Sequence, residues 1–202
     1  MTAHEELQLA QISVSEMDNN VYLLHDQHEG LLIDAADDAD AILALAERTG
    51  VTITMVLTTH RHSDHVRALP EVLDRTGAIH IASFLDTPAL PAPVDVQLDQ
   101  GDIVEFAGHE LPAFVLRGHT PGGAGLAVRM GGIPHLFVGD SLFPGGLGKT
   151  ASEGDFVRLF TDVTERLFDV YRDESVVHPG HGESTTLGAQ RPHLDEWLQR
   201  RW

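Results

Sequence analysis

The 202-residue sequence contains no cysteine. That absence removes disulfide frameworks, thiol nucleophiles, iron–sulfur clusters and thiolate zinc sites together. Basic residues are scarce: 13 Lys plus Arg stand against 31 Asp plus Glu, a formal net charge of −18, and Lys149 is the single lysine. Such an excess of negative charge repels nucleic-acid phosphates and anionic lipid, so neither nucleic acid nor membrane is expected as a partner. No apolar run approaches the roughly 18 residues needed to span a bilayer. The first residues carry Glu5 and Glu6 with no basic stretch ahead of an apolar one, so no signal peptide is expected and the cytoplasm is the expected location. Internal repeats, low-complexity tracts and long polar linkers are also missing, and one domain over residues 1–202 is expected. With 42% hydrophobic and 22% charged residues, the composition is that of an ordinary globular protein.

What is present is a mixture of short alternating runs and a few helical stripes. Strand-like runs at 7–14, 21–24 and 31–33 are broken by Asp18-Asn19-Asn20 and by residues 26–30, as in antiparallel strands. Helices are expected over 38–48, where Ile42, Leu43, Leu45 and Ala46 form an apolar stripe, and over 66–76, with Pro70 near its first turn. A β-branched run at 51–59 reads as a buried strand, followed by strands at 78–82, 94–98, 103–106, 113–116, 125–130 and 135–138. The clearest helical periodicity covers 156–171, then come a short strand at 175–177 and a helix over 192–200. This order fits an α/β protein in which two sheets carry helices on their outer faces.

The chemistry begins where the buried strand ends. His60-Arg61-His62-Ser63-Asp64-His65 puts four potential metal ligands in six positions. In extended chain, residues 60, 62 and 64 project to one side, and a helix starting near 65 turns His65 toward the same point. Imidazole with carboxylate suits zinc, iron or manganese. Three later runs each deliver one ligand into a glycine-bearing turn: Arg117-Gly118-His119, Val138-Gly139-Asp140 and Pro179-Gly180-His181. Together they supply five His and two Asp, enough for two metal ions.

These residues, in this order, resemble the metallo-β-lactamase fold hydrolases. The resemblance implies a four-layer αββα sandwich with the metals at one edge. It also implies a ligand set: His60, His62 and His119 on one ion, Asp64, His65 and His181 on the other, and Asp140 bridging. Two zinc ions, or iron or manganese in their place, would there generate a bridging hydroxide as nucleophile, with Asp64 both ligating and orienting it. Within the family the sequence is most similar to glyoxalase II, a thioester hydrolase whose bridging Asp opens a Gly-Asp-x-Leu-Phe run followed by Gly-Lys. Here Asp140-Ser141-Leu142-Phe143 leads to Gly148-Lys149, and Lys149 is expected to attract a substrate carboxylate.

The chain also departs from glyoxalase II. No C-terminal helical substrate domain is expected after His181, and Ala151 and Glu183 stand where that family places tyrosines, which points to another thiol carrier. The same HxHxDH motif occurs in persulfide dioxygenases with one iron, for which His60, His119 and Asp140 would form the ligand face. A lactone or other ester hydrolase and a metal-binding protein without turnover are further alternatives. The remaining histidines, His4, His25, His28, His80, His109, His135 and His193, are expected to be surface or packing residues. His178 is expected to support the site from behind, and Asp34 to orient a ligand.

Overall fold

In the computed structural model, which describes residues 6–201, the strands form two six-stranded sheets. The first contains β1 (Gln8–Val14), β2 (Asn19–His25), β3 (Glu29–Ile33), β4 (Thr52–Thr58), β5 (Ile79–Ser83) and β6 (Val96–Leu98), in that spatial order. β1 to β3 are antiparallel and β3 to β6 parallel. α1 (Ala39–Thr49) connects β3 to β4 and α2 (Leu69–Thr76) connects β4 to β5, whereas β5 reaches β6 through a segment with a 3₁₀ turn at Thr87–Ala89. The second sheet uses β7 (Ile103–Phe106), β8 (His109–Leu116), β9 (Gly123–Met130), β10 (Ile133–Gly139), β13 (Val176–Pro179) and β14 (Thr185–Thr186), in the order β14-β13-β10-β9-β8-β7. A short hairpin, β11 (Leu142–Phe143) with β12 (Gly146–Leu147), follows β10. Then come α3 (Glu153–Val163), α4 (Leu187–Gln190) and α5 (Leu194–Arg200).

The two-residue period of the strands sorts side chains into three apolar layers. Along β2, Val21 and Leu23 face α1 and α2, whereas Tyr22 and Leu24 face the second sheet; β3 divides Leu32 from Leu31 and Ile33 in the same way. The middle layer is completed by Leu57, Ile81, Phe106, Leu126 and Phe137 from both sheets. The outer face of the second sheet packs Leu136 and Val138 against Leu159, Val163, Phe168 and Trp197. The result is the expected αββα sandwich. His4, one of the histidines expected to be unremarkable, lies outside the described residues.

Several expected boundaries move. The helix expected over 156–171 starts earlier, where the Ser152 side chain accepts the Asp155 N–H, and stays regular only to Val163. Residues Thr164–Phe168 widen into a π-turn, and the Asp169 N–H bonds to Thr164 O at 2.9 Å. β8 reaches back to His109 because it pairs residue by residue with β7. The strand expected over 94–98 shortens to three residues. The helix expected over 192–200 opens as a 3₁₀ turn at Arg191–His193 and continues as α5, and a short helix not expected from sequence, α4, precedes it.

Strand direction then fixes where the site lies. β9 is antiparallel to both β8 and β10, and β13 is parallel to β10, so β8, β10 and β13 all end at one edge. The Ala124 N–H donates to Thr59 O at 2.7 Å, which brings the end of β4 to that edge. β2 runs opposite to β4, so its first residues, Asn19 and Asn20, start there.

Candidate metal centre

All seven residues singled out as ligands converge at this edge. The chain turns sooner than expected after β4: a 3₁₀ turn spans Ser63–His65, so Asp64 swings away from His60 and His62 and joins His65. Two sets of donor atoms result, His60-His62-His119 and Asp64-His65-His181, each with its members within 4.8 Å of one another. In the first, His60 Nε2 and His62 Nδ1 are 3.1 Å apart. In the second, His181 Nε2 lies 3.1 Å from His65 Nε2 and 3.3 Å from Asp64 Oδ2. Asp140 stands between the sets, with Oδ1 3.4 Å from His65 Nε2 and Oδ2 3.6 Å from His119 Nε2 and 3.4 Å from His181 Nε2.

These spacings fit a metal. Nitrogens bound at about 2.0–2.1 Å to one tetrahedral ion stand roughly 3.3 Å apart. His119 Nε2 is moreover buried without a hydrogen-bond partner, a cost that a bound cation would relieve.

Four of the five imidazoles are held by their far nitrogen. The Nδ1 of His60 bonds to Thr59 Oγ1 at 3.0 Å, that of His65 to Asp34 Oδ2 at 2.8 Å, that of His119 to Lys149 O at 2.7 Å and that of His181 to Met17 O at 2.8 Å. Each Nε2 is thereby turned toward the centre. Asp34 does orient a ligand. It leaves β3 with a positive φ of 59°, which turns its carboxylate inward, and it also accepts from Thr59 N–H and Oγ–H, both at 2.7 Å. Its carboxylate also lies within 4.8 Å of nitrogens of His60 and His65, but these bonds already occupy its oxygens.

Charge is distributed to match. Burial opposes protonation of His65, yet Asp34 and the hydrogen bonds to Asp140 and Asp34 outweigh it and raise the imidazole from 6.5 to about 10. The hydrogen bond to Asp140 likewise raises His181. Burial acts to raise Asp140, but its bonds from His181 and His65 hold the carboxyl well below the usual range. Burial and the neighbouring His65 push His60 down, and burial with the neighbouring His119 lowers His62, so these two favour neutral imidazole.

Two supporting residues were not anticipated from sequence. Asn19, fully buried, donates from Nδ2 to Asp64 Oδ2 at 3.0 Å and pairs as a bridge with His181. Asn20 donates from Nδ2 to Pro179 O at 3.0 Å and Gly182 O at 2.8 Å, clamping the His181 turn. Gly180 in that turn admits no side chain, because a Cβ would overlap Asp140 Oδ1 and His65. Gly118, with φ at 137°, lets the His119 turn press on α3 at Asp155 O and Leu159. His178 is a correction: it does not support the centre. Its ring stacks on Phe137, and its nitrogens face His135 Nδ1 at 2.9 Å and Ser184 Oγ at 3.1 Å. Lys149 exposes its side chain in a separate cleft of about 750 Å³ and reaches His119 only through its carbonyl.

A sequence model of the metallo-beta-lactamase superfamily matches residues 14–181. The chain belongs to that superfamily. Among its curated members, a hydroxyacylglutathione hydrolase of Fuscovulum blasticum is 37% identical over 134 residues, covering 65% of this chain and 51% of that protein. One of Roseobacter denitrificans is 33% identical over 196 residues, covering 91% and 71%. The chain therefore spans about half the length of the first and more of the second. Among solved metallo-beta-lactamase folds, TTHA1623 in a di-iron-bound form is 28% identical with a TM-score of 0.74, covering 90% of this chain and 96% of that one.

Proposed function

We propose that the protein is a dinuclear metal hydrolase of small thioesters, acting in the cytoplasm. The observation that carries this reading is the pair of three-donor sets with Asp140 between them. In it, His60, His62 and His119 would hold one ion and Asp64, His65 and His181 the other, with Asp140 available to both. The two sets offer room for two ions, whereas a single-iron dioxygenase would use His60, His119 and Asp140 alone. When bound, the ions supply positive charge that polarises an acyl carbonyl and makes hydroxide available near neutral pH. Zinc is the proposed metal; the di-iron form of TTHA1623 keeps iron as the competing choice.

The residues of this chain do the rest. Asn19 holds Asp64 Oδ2 beside His65 and His181, and the Asp64 carboxylate fixed there orients the nucleophile. The deep burial of His60 and His65 keeps water from competing behind the ligands. No general acid is needed for the leaving group, since a thiol has a pKa of about 8.5 and departs as thiolate. The thioester class rests on the relatives' names and on the Asp140-to-Lys149 run, and the proposed role of Lys149 is to attract an anionic part of the thiol carrier.

A panel of acyl thioesters, matched oxygen esters, a lactone and a glutathione persulfide tests this. Thioester turnover is expected to exceed that of matched oxygen esters by at least about 10²-fold, an advantage of about 2.7 kcal/mol, with no oxygen consumed. Oxygen uptake with the persulfide and no thioester hydrolysis would assign the dioxygenase instead.

A further inference from the structure

Beside His62 and His119 opens a second cleft, of about 510 Å³, whose walls include Arg61, Arg117, Leu85 and Arg158. A chain of net charge −18 has few cations to place, and three of them border this one cavity. Arg117 is already committed. Its guanidinium forms a two-pronged pair with buried Asp162, through Nε at 2.8 Å and Nη2 at 2.7 Å, and Arg166 joins the same carboxylate at 3.1 Å. Arg61 and Arg158 are uncommitted: among the described residues neither side chain has a hydrogen bond or ion pair. The acid in the cleft lining, Asp155, is engaged by the Ser152 hydroxyl at 2.7 Å.

The two free guanidinium groups are carried by fixed backbone. The Arg61 N–H donates to Asp86 Oδ2 at 3.1 Å, and the Gly122 N–H to Asp86 Oδ1 at 3.1 Å, so one buried carboxylate ties the first ligand segment to the His119 loop. Arg158 lies on α3, whose Phe156 and Leu159 are buried in the core while residues 157 and 158 remain exposed. A planar, permanently charged guanidinium matches a carboxylate edge to edge.

We infer that Arg61 and Arg158 form an anion subsite that takes a carboxylate of the substrate on the His62–His119 side of the centre. This rests on the hydrolase reading above and narrows it to thioesters carrying a carboxylate. The site differs from the cleft that holds Lys149, on the other side of Ala151.

Two matched thioester pairs test it, one with a carboxylate or its methyl ester on the thiol half, the other with the same change on the acyl half. In one pair the acid is expected to exceed the ester in kcat/KM by about tenfold or more, through KM. That ratio is expected to fall to about twofold or less in Arg61→Ala and in Arg158→Ala, and to recover in part in Arg158→Lys. The responding pair identifies which half bears the anion. An NMR titration of metal-free protein with 3-(propylthio)propionate and its methyl ester gives a readout without turnover. Tighter binding of the acid, lost in the double Arg61→Ala/Arg158→Ala variant, supports the subsite even when no thioester is hydrolysed, and that combination would refute the hydrolase reading alone. Equal binding of acid and ester, or a preference that survives in the double variant, overturns the subsite whatever the turnover.

Discussion

Asp140→Ala is expected to retain at most about one metal ion per chain and to hydrolyse thioesters at least about 10³-fold more slowly, a loss of about 4 kcal/mol in transition-state stabilisation. Asp140 faces both donor sets, and among the described residues no other carboxylate pairs with both His119 and His181. Removing it leaves His119 Nε2 without its carboxylate neighbour and leaves Asp64 alone to face His65 and His181. The mostly buried position allows little water to replace it. Asp140→Asn is the informative companion, because it keeps the volume and removes the charge; it is expected to fold like the parent and to share the loss of metal. Elemental analysis alongside steady-state rates checks both, and full metal content with undiminished turnover in either variant would remove Asp140 from its bridging position.

Asp34→Ala is expected to cost about 3–5 kcal/mol of stability, the range for breaking a buried charged pair, out of the 5–15 kcal/mol that a domain has in total. The carboxylate is 1% exposed and takes three hydrogen bonds, from Thr59 N–H, Thr59 Oγ–H and His65 Nδ1–H, and alanine leaves all three donors unmatched. In the metal-free protein the pair also has a signature in pH. Against the effect of burial, Asp34 helps to raise His65 from 6.5 to about 10. A base whose folded pKa is raised contributes its stability in full below the unfolded value, and the contribution disappears as pH rises through the folded one. Metal-free wild type is therefore expected to lose stability relative to Asp34→Asn between about pH 6.5 and 10, measured by denaturant titration. At neutral pH, metal binding must displace that proton, and Asp34→Asn is expected to weaken affinity at the second site by about 10–100-fold. An Asp34→Asn protein with unchanged stability and metal affinity would show that the dyad only fills space.

The seven candidate ligands could be singled out from sequence because each sits at a strand end next to glycine or within a six-residue cluster, where local spacing carries the information. The four layers could be read because the alternation of Val21, Tyr22, Leu23 and Leu24 gives each face of β2 its own apolar set. Asn19 and Asn20 could not. Asp18-Asn19-Asn20 has the composition of a turn, and their partners are Asp64 and the carbonyls of Pro179 and Gly182, remote in sequence. His178 misleads for a related reason: three residues from His181 in sequence, it is paired with Phe137 in β13 and directed into the sheet. The tail of α3 was overread because Leu167 and Phe168 keep an apolar stripe going through a π-turn that periodicity does not register.

Metal content per chain decides most directly between a dinuclear hydrolase and everything else considered for this fold. Protein purified from cells supplied with both zinc and iron, and analysed for elements after exhaustive dialysis, is expected to contain about two ions per chain, mainly zinc. One iron per chain with the second donor set empty, or no bound metal after zinc and iron are added back, would contradict the two-ion centre.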